Sequence, residues 1–302
     1  MHSLQSALVI GGRGLVGSAL VEVLGPSRSR STFARQAAPG LARLDLTEVA
    51  RDPGIAEAEI DRTDPDAVFL AAGTASAEAC EGDEAAATAE HAAGPAALAG
   101  VCARLDIPLV LFSSDIVFDG SSGPYAEDAE PVPLAVLGRS KREGEVAVLK
   151  ASSRNLVLRS SWVFGPEPRG LGIAYRIASA LKGGRPVPVA SDQYSTPTYS
   201  RDLARAAVGL VENDSAGLVH AAGPETMNAA SFALLVAKVA GVPASLVKPM
   251  PSATLGMAAL RPPWGGLLCG RLKAFLPSFA MRSAGAAMDH WVKNQRGALW
   301  PF

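Results

Sequence analysis

Residues 7–24 read ALVIGGRGLVGSALVEVL. Ala7 to Ile10 form a short apolar run that ends in the glycine-rich GGRGLVG of residues 11–17, and SALVEVLG then continues with helical spacing. The order is strand, tight turn, helix. Gly11, Gly14 and Gly17 carry the spacing GxxGxxG. The first glycine permits the turn, the second lets backbone approach a pyrophosphate, and the third lets helix pack closely on strand. The helix start at Leu15 and Val16 presents free N–H groups and the positive end of the helix dipole to such phosphates. A glycine pattern alone is weak, and the strand–turn–helix context strengthens it into a predicted dinucleotide site.

Working outward, the same alternation repeats. Candidate strands lie near 30–34, at 67–72 (AVFLAA), at 108–113 (PLVLFS) and at 156–160 (LVLRS). The Ala-rich stretch 81–105 reads as one helix and 134–150 as another. Apolar strands alternating with helices predict an α/β fold, a Rossmann-type doubly wound parallel sheet. After about residue 165 the pattern loosens. GPEPRG is a loop, 171–182 is helical, 186–190 is a short strand, and RDLARAAVGLVE and SFALLVAKVAG are further helices. The expected organisation is a dinucleotide-binding domain over 1–165, with 199–220 returning to it. A smaller C-terminal substrate lobe is expected from 166–198 and 221–302, with 280–292 its closing helix or a partner helix.

The chain has 302 residues, enough for one large α/β domain or one domain with an appended lobe. A formal net charge of −1 gives no general pull toward nucleic acid or anionic membrane. Cys80, Cys102 and Cys269 are few, odd in number and without metal-ligand spacing, which fits buried thiols in a reducing cytoplasm and no metal site. Neither a secretory leader pattern nor an apolar run long enough to span a bilayer is visible, so a cytoplasmic location is expected.

The residue after the second strand discriminates between the two nicotinamide dinucleotides. An acid there would hold a ribose 2′-hydroxyl, and an arginine would meet a 2′-phosphate. SRSRSTFAR contains Arg28, Arg30 and Arg35 and no acid, so NADP is favoured and NAD remains possible. Arg35 is the leading candidate and Arg30 the second. A solvated loop is the competing role for each of them.

Ordered matches run through most of the chain. They are GGRGLVG at 11–17, LDLT at 44–47, PDAVFLAAGT at 65–74, FSSDIVFDG at 112–120, PYAED at 124–128, PLAVLGRSKREGE at 133–145, LRSSWVFG at 158–165 and DQYSTPTYSRDLA at 192–204. LRPPWGGLL at 260–268 is a worn version of an Arg-Pro segment. By these the chain resembles the dTDP-4-dehydrorhamnose reductase branch of the extended short-chain dehydrogenase/reductases. That branch also contains other nucleotide-sugar ketoreductases and a regulatory subunit of methionine adenosyltransferase. The resemblance implies that Ala71, Ala72 and Gly73 line the cofactor and that Asp45 lies near its adenine end. The competing role for Asp45 is a helix cap.

The resemblance also implies a Ser/Thr, Tyr and Lys chemistry. Lys bonds the nicotinamide ribose and lowers the Tyr pKa, Tyr exchanges a proton with the substrate oxygen, and Ser/Thr donates to that oxygen. Here Ser114 and Lys141 match, but Leu137 stands at the Tyr position, and leucine can neither donate, accept nor ionise. Nearby, Ile116 replaces a second pocket Tyr, His91 stands where Asn is usual, and an Asn expected near Gly172 is missing. Candidate substitute acids are His91, Asp115, Lys141 itself, or a water, and Tyr125, Tyr194 or Tyr199 if a loop brings one in.

Two functions from different classes follow. One is an atypical NADP(H)-binding reductase acting on a ketone of a nucleotide sugar or secondary-metabolite intermediate. The other is a catalytically inactive regulatory or scaffolding homologue that binds a partner enzyme. Relatives often form homodimers, which the resemblance extends to this chain by analogy only.

Overall fold

The computed structural model describes residues 4–32, 42–166 and 168–294. The strands are β1 (Ala7–Ile10), β2 (Ser29–Thr32), β3 (Ala67–Leu70), β4 (Leu109–Ser114), β5 (Leu156–Ser160) and β6 (Val163–Phe164), followed by β7 (Val187–Ala190), β8 (Tyr194–Ser195), β9 (Thr198–Tyr199), β10 (Gly217–His220), β11 (Met227–Asn228) and β12 (Val247–Met250). The helices are α1 (Leu15–Leu24), α2 (Leu46–Val49), α3 (Gly54–Thr63), α4 (Ala77–Gly82), α5 (Glu84–Thr88) and α6 (Gly94–Arg104). They continue as α7 (Val136–Ala151), α8 (Ile173–Lys182), α9 (Ser200–Glu212), α10 (Ala229–Ala240), α11 (Gly270–Phe275) and α12 (Ala284–Lys293).

Six strands form one parallel sheet in the order β10-β5-β4-β3-β1-β2. The order reverses at β1, and the crevice beyond the carboxyl ends of β1 and β3 is the place where such folds hold ligands. The two-residue period of each strand builds both faces. Ala7, Val9, Ala67, Phe69, Val110, Phe112, Leu156 and Leu158 enter the core under α1 and α9. Leu8, Ile10, Val68, Leu70, Leu109, Leu111 and Val157 enter the core on the opposite face, with α3 and α6. Strands buried on both sides read as continuous apolar runs, and this is why they were visible in the sequence.

A second core joins α8, α10 and α12 through Ile177, Leu181, Phe232, Val236, Met288 and Trp291. It carries the short pairings β7–β12 and β8–β11 beside it. The chain after 221 is not one block, however. Leu272 of α11 is buried in the core under the main sheet, with Phe275, Leu276, Phe279 and Met281 packed against it.

The single helix expected over 81–105 is a correction. The chain runs as α4, α5, a π-helical turn at Ala89–Ala93 and then α6. Asp83 interrupts it by capping α5 through Ala86 N–H at 2.9 Å. The π turn has a packing cause and a consequence. Gly144 of α7 approaches so closely that a Cβ there would lie 2.1 Å from the His91 carbonyl oxygen, and the turn buries Glu90 and His91 side by side.

Candidate active site

The dinucleotide crevice is set by backbone sterics. Gly11 has φ of +91°, and a Cβ on it would lie 2.7 Å from Ala72 N. A Cβ on Gly17 would lie 2.1 Å from the Gly11 carbonyl oxygen, so only glycine lets α1 sit this close to β1. Gly14 differs from both. A Cβ there would have only Gly11 O at 3.3 Å and Ala71 O at 3.9 Å nearby, so this face opens into the crevice between β1 and β3. Gly14 caps α1 without a side-chain acceptor, which leaves the first-turn amides at Leu15 and Val16 for a phosphate. The backbone therefore fits a dinucleotide pyrophosphate.

The arginines expected to read the ribose divide. Arg28 turns away, donating to the Leu24 and Val23 carbonyls and pairing with Glu212 of α9 at 3.3 Å. Arg30 is exposed on β2, and Arg35 lies outside the described residues. Arg13, within the fingerprint itself, is also exposed. Asp45 caps α2, accepting from Thr47 N and Thr47 Oγ1 at 2.9 Å each.

Ser114 ends β4, and Asp115 opens the turn after it. Ser114 Oγ donates to Asp115 Oδ1 at 3.0 Å. Asp115 Oδ2 accepts from Ser195 Oγ at 2.5 Å and from Gly266 N at 3.1 Å. Ser195 also meets Ser161 Oγ. Asp115 thus ties the end of β4 to two remote segments. With both carboxyl oxygens engaged, it suits an orienting group.

Lys141 lies in the second turn of α7 with its Nζ 3.5 Å from the Phe112 carbonyl oxygen. It shares a narrow cavity with Ala72, Glu90, His91, Phe112 and Ser113, so it reaches the end of β3 beside the dinucleotide crevice. Burial pushes the Lys141 pKa down, while negative charge at Glu145, Cys80 and Glu90 pulls it back up. His91 Nε2 is 3.0 Å from the Thr74 carbonyl oxygen, so that nitrogen donates. Its ring fills the space beside Gly73, where a Cβ would lie 2.6 Å from His91 Cε1. Glu90 Oε2 accepts from Thr74 N at 3.0 Å.

Leu137 is buried among Ala77, Cys80, Ala87, Ala135, Val136 and Ala259, with Ile116 packed against them. Positions that the resemblance marks for two hydroxyls therefore form one apolar cluster. No described tyrosine is placed to replace them. Tyr125 stacks on Phe118 and donates to Asp119 at 2.6 Å, Tyr194 stacks on Trp264, Tyr199 meets His290 Nδ1 at 3.1 Å, and Tyr175 packs on Gly170.

Two features escaped the sequence reading. Arg159 follows Val157 on the α7 side of β5 and forms a two-pronged pair with Glu145, at 2.8 and 2.6 Å, one helical turn beyond Lys141. Both side chains are almost wholly buried, so the pair bolts α7 to the sheet. A charge inside the apolar run LVLRS was the available signal. The other is Trp162, between β5 and β6, whose φ of +34° is rare for a bulky residue and marks local backbone strain. Among the described residues no group of three or more His, Cys, Asp or Glu is placed to hold a metal ion, and no helix is long and apolar enough to cross a membrane.

Residues 5–293 match the family model described as the RmlD substrate binding domain, and the chain belongs to that family. It is 33% identical over 271 residues to the Haloferax volcanii protein named "Probable low-salt glycan biosynthesis reductase Agl14", covering 85% of this chain and 87% of that one. It is 31% identical to the Streptomyces niveus dTDP-4-keto-6-deoxy-D-glucose reductase, covering 94% and 93%. In fold it is similar to a Bacillus anthracis dTDP-4-dehydrorhamnose reductase solved in complex with NADP. The TM-score is 0.85 at 22% identity, covering 97% of this chain and 100% of that one.

Proposed function

We propose that this family member is an NADP(H)-dependent reductase of a ketone on a nucleotide-linked sugar, working without a tyrosine acid. The observation that carries the reading is the adjacency of two features after β3. The open face of Gly14 looks toward the Ala71 carbonyl oxygen, and the next residue, Ala72, lines the cavity that holds Lys141. The names of the relatives supply the substrate class.

Bound in the crevice, NADPH supplies the hydride. The amides at Leu15 and Val16 bind its pyrophosphate, while Ala71 to Gly73 form the opposite wall. Lys141 holds a ribose hydroxyl at the inner end. Ser114 turns its hydroxyl from Asp115 to the substrate carbonyl oxygen, and Asp115, held by Ser195 and Gly266, keeps that serine in place. The proton comes from the Lys141–His91 cavity through a water. Lys141 suits this role because its lowered pKa makes the ammonium a better donor. His91, donating through Nε2 to Thr74, presents its other nitrogen beside Gly73 as an acceptor that orients the water, and Lys141 regains its proton from solvent.

The test is NADPH oxidation with a dTDP-linked 4-keto-6-deoxy sugar. Turnover is expected, with Lys141→Met reducing it about 10²-fold or more. A protein that binds NADPH in calorimetry yet turns over no keto sugar would sink the reading and favour the partner-binding homologue.

A further inference from the structure

We propose that the free face of Trp264 is a stacking platform for the nucleobase of the substrate, an inference that rests on the nucleotide-sugar reading above. Trp264 is 47% exposed although it is among the largest apolar side chains in the protein. Its ring lies on that of Tyr194, with centroids 4.0 Å apart and planes 1° from parallel. Tyr194 covers one face of the indole, and the residue still keeps nearly half of its surface toward solvent.

The pair is held rigidly from both sides. Tyr194 N donates to Pro263 O at 2.8 Å, and Gly265 N donates to Tyr194 O at 2.9 Å. Trp264 N donates to Gly120 O and Gly123 N donates to Trp264 O, each at 3.1 Å. The carbonyl lies so close to Gly123 that a Cβ there would approach it to 2.1 Å. A flat ring whose orientation is settled before binding loses little entropy when a second ring stacks on it.

Its position in the chain selects the ligand. The segment begins at Ala259, packed with Leu137, and ends at Gly266, bonded to Asp115. Trp264 therefore stands between two anchors on the reacting wall, at its solvent-exposed rim. A nucleotide sugar whose ketone meets Ser114 has one flat aromatic group, and that group lies at the far end of the molecule from the reacting carbon. Tyr194 and Trp264 offer it a surface that needs no hydrogen-bond code, since every base has a π face.

The test is a calorimetric titration of the full-length protein, saturated with NADP+, with dTDP as the probe. Expected are a dTDP Kd within about threefold of the parent for Trp264→Phe and about tenfold higher for Trp264→Ala. With the keto sugar, Trp264→Ala should raise KM by a similar factor and leave kcat nearly unchanged. A parent that binds dTDP while Trp264→Ala binds it equally well overturns the platform and leaves the reductase reading standing. Loss of self-association in Trp264→Ala with unchanged dTDP affinity overturns it in favour of a protein-docking face. A parent that binds no dTDP overturns the platform, and if it also turns over no keto sugar the reductase reading falls with it.

Discussion

The two walls of the site are built in different currencies. The dinucleotide wall is made of backbone. Gly11 and Gly17 are required because any side chain there would enter the main chain of Ala72 or Gly11. The reacting wall is made of side chains. Leu137 and Ile116 sit in a closed apolar cluster, and the fold accepts them without distortion. A wall defined by close backbone approach cannot change without damaging the sheet. A wall defined by side-chain chemistry can lose a hydroxyl and gain packing, so the same helix that presents Lys141 now presents leucine.

If that contrast holds, the largest loss should come from the buried charge pair beneath the reacting wall. Glu145→Ala leaves Arg159 buried without its carboxylate and should cost about 3–5 kcal/mol. The check is a urea denaturation curve. A cost below about 1 kcal/mol would mean that α7 is held by its apolar contacts alone.

The same network should make stability depend on pH. His220 accepts from Arg159 at 3.5 Å through Nε2 and donates to Leu268 O at 3.2 Å through Nδ1, which is the neutral ring. Burial first, then the Arg159 charge, pushes its pKa down to about 4. The backbone carbonyls and Glu145 oppose this. The unfolded chain takes up that proton below about 6.5, the folded one only near 4, so the contribution is whole above 6.5 and lost as pH falls to 4. The loss should be about 3 kcal/mol. Comparing denaturation midpoints at the two ends of that range for the parent and His220→Gln checks it, the variant showing the shallower slope.

Leu137→Tyr addresses the contrast directly. A hydroxyl returned beside Lys141 should raise ketoreductase turnover by about 10²-fold, read as kcat with the dTDP-linked keto sugar. No gain in a folded variant would show that the apolar cluster at Ile116 and Ala259 has reshaped the substrate side as well. The backbone wall should resist change at a single carbon. Gly17→Ala drives a Cβ against the Gly11 carbonyl oxygen, should cost about 3 kcal/mol or more through overpacking, and should weaken NADPH binding in calorimetry. Intact binding would mean that α1 can shift without moving the phosphate amides.

Much of this was legible in the chain. Strand parity, the glycine turn and the match of Ser114 and Lys141 to a known pattern all depend on local spacing, and local spacing is what a sequence displays. The break of 81–105 into four pieces was not legible, because the π turn answers to Gly144 on another helix. Nor was the use of Asp115. Its partners Ser195 and Gly266 come from distant segments that periodicity does not connect. Asp45 showed both its candidate roles in the sequence, and only the Thr47 bonds display the capping one.

The sequence by itself determined the parallel sheet, the crevice at β1 and the absence of a tyrosine before Lys141. Those follow from side-chain period, from glycine's missing Cβ and from residue identity, none of which needs a neighbour in space. Tertiary structure decided which charges are paired, which hydroxyls are already engaged and where Trp264 lies against Tyr194. Buried charges and stacked rings take their partners from remote segments, and only the folded chain brings those segments together.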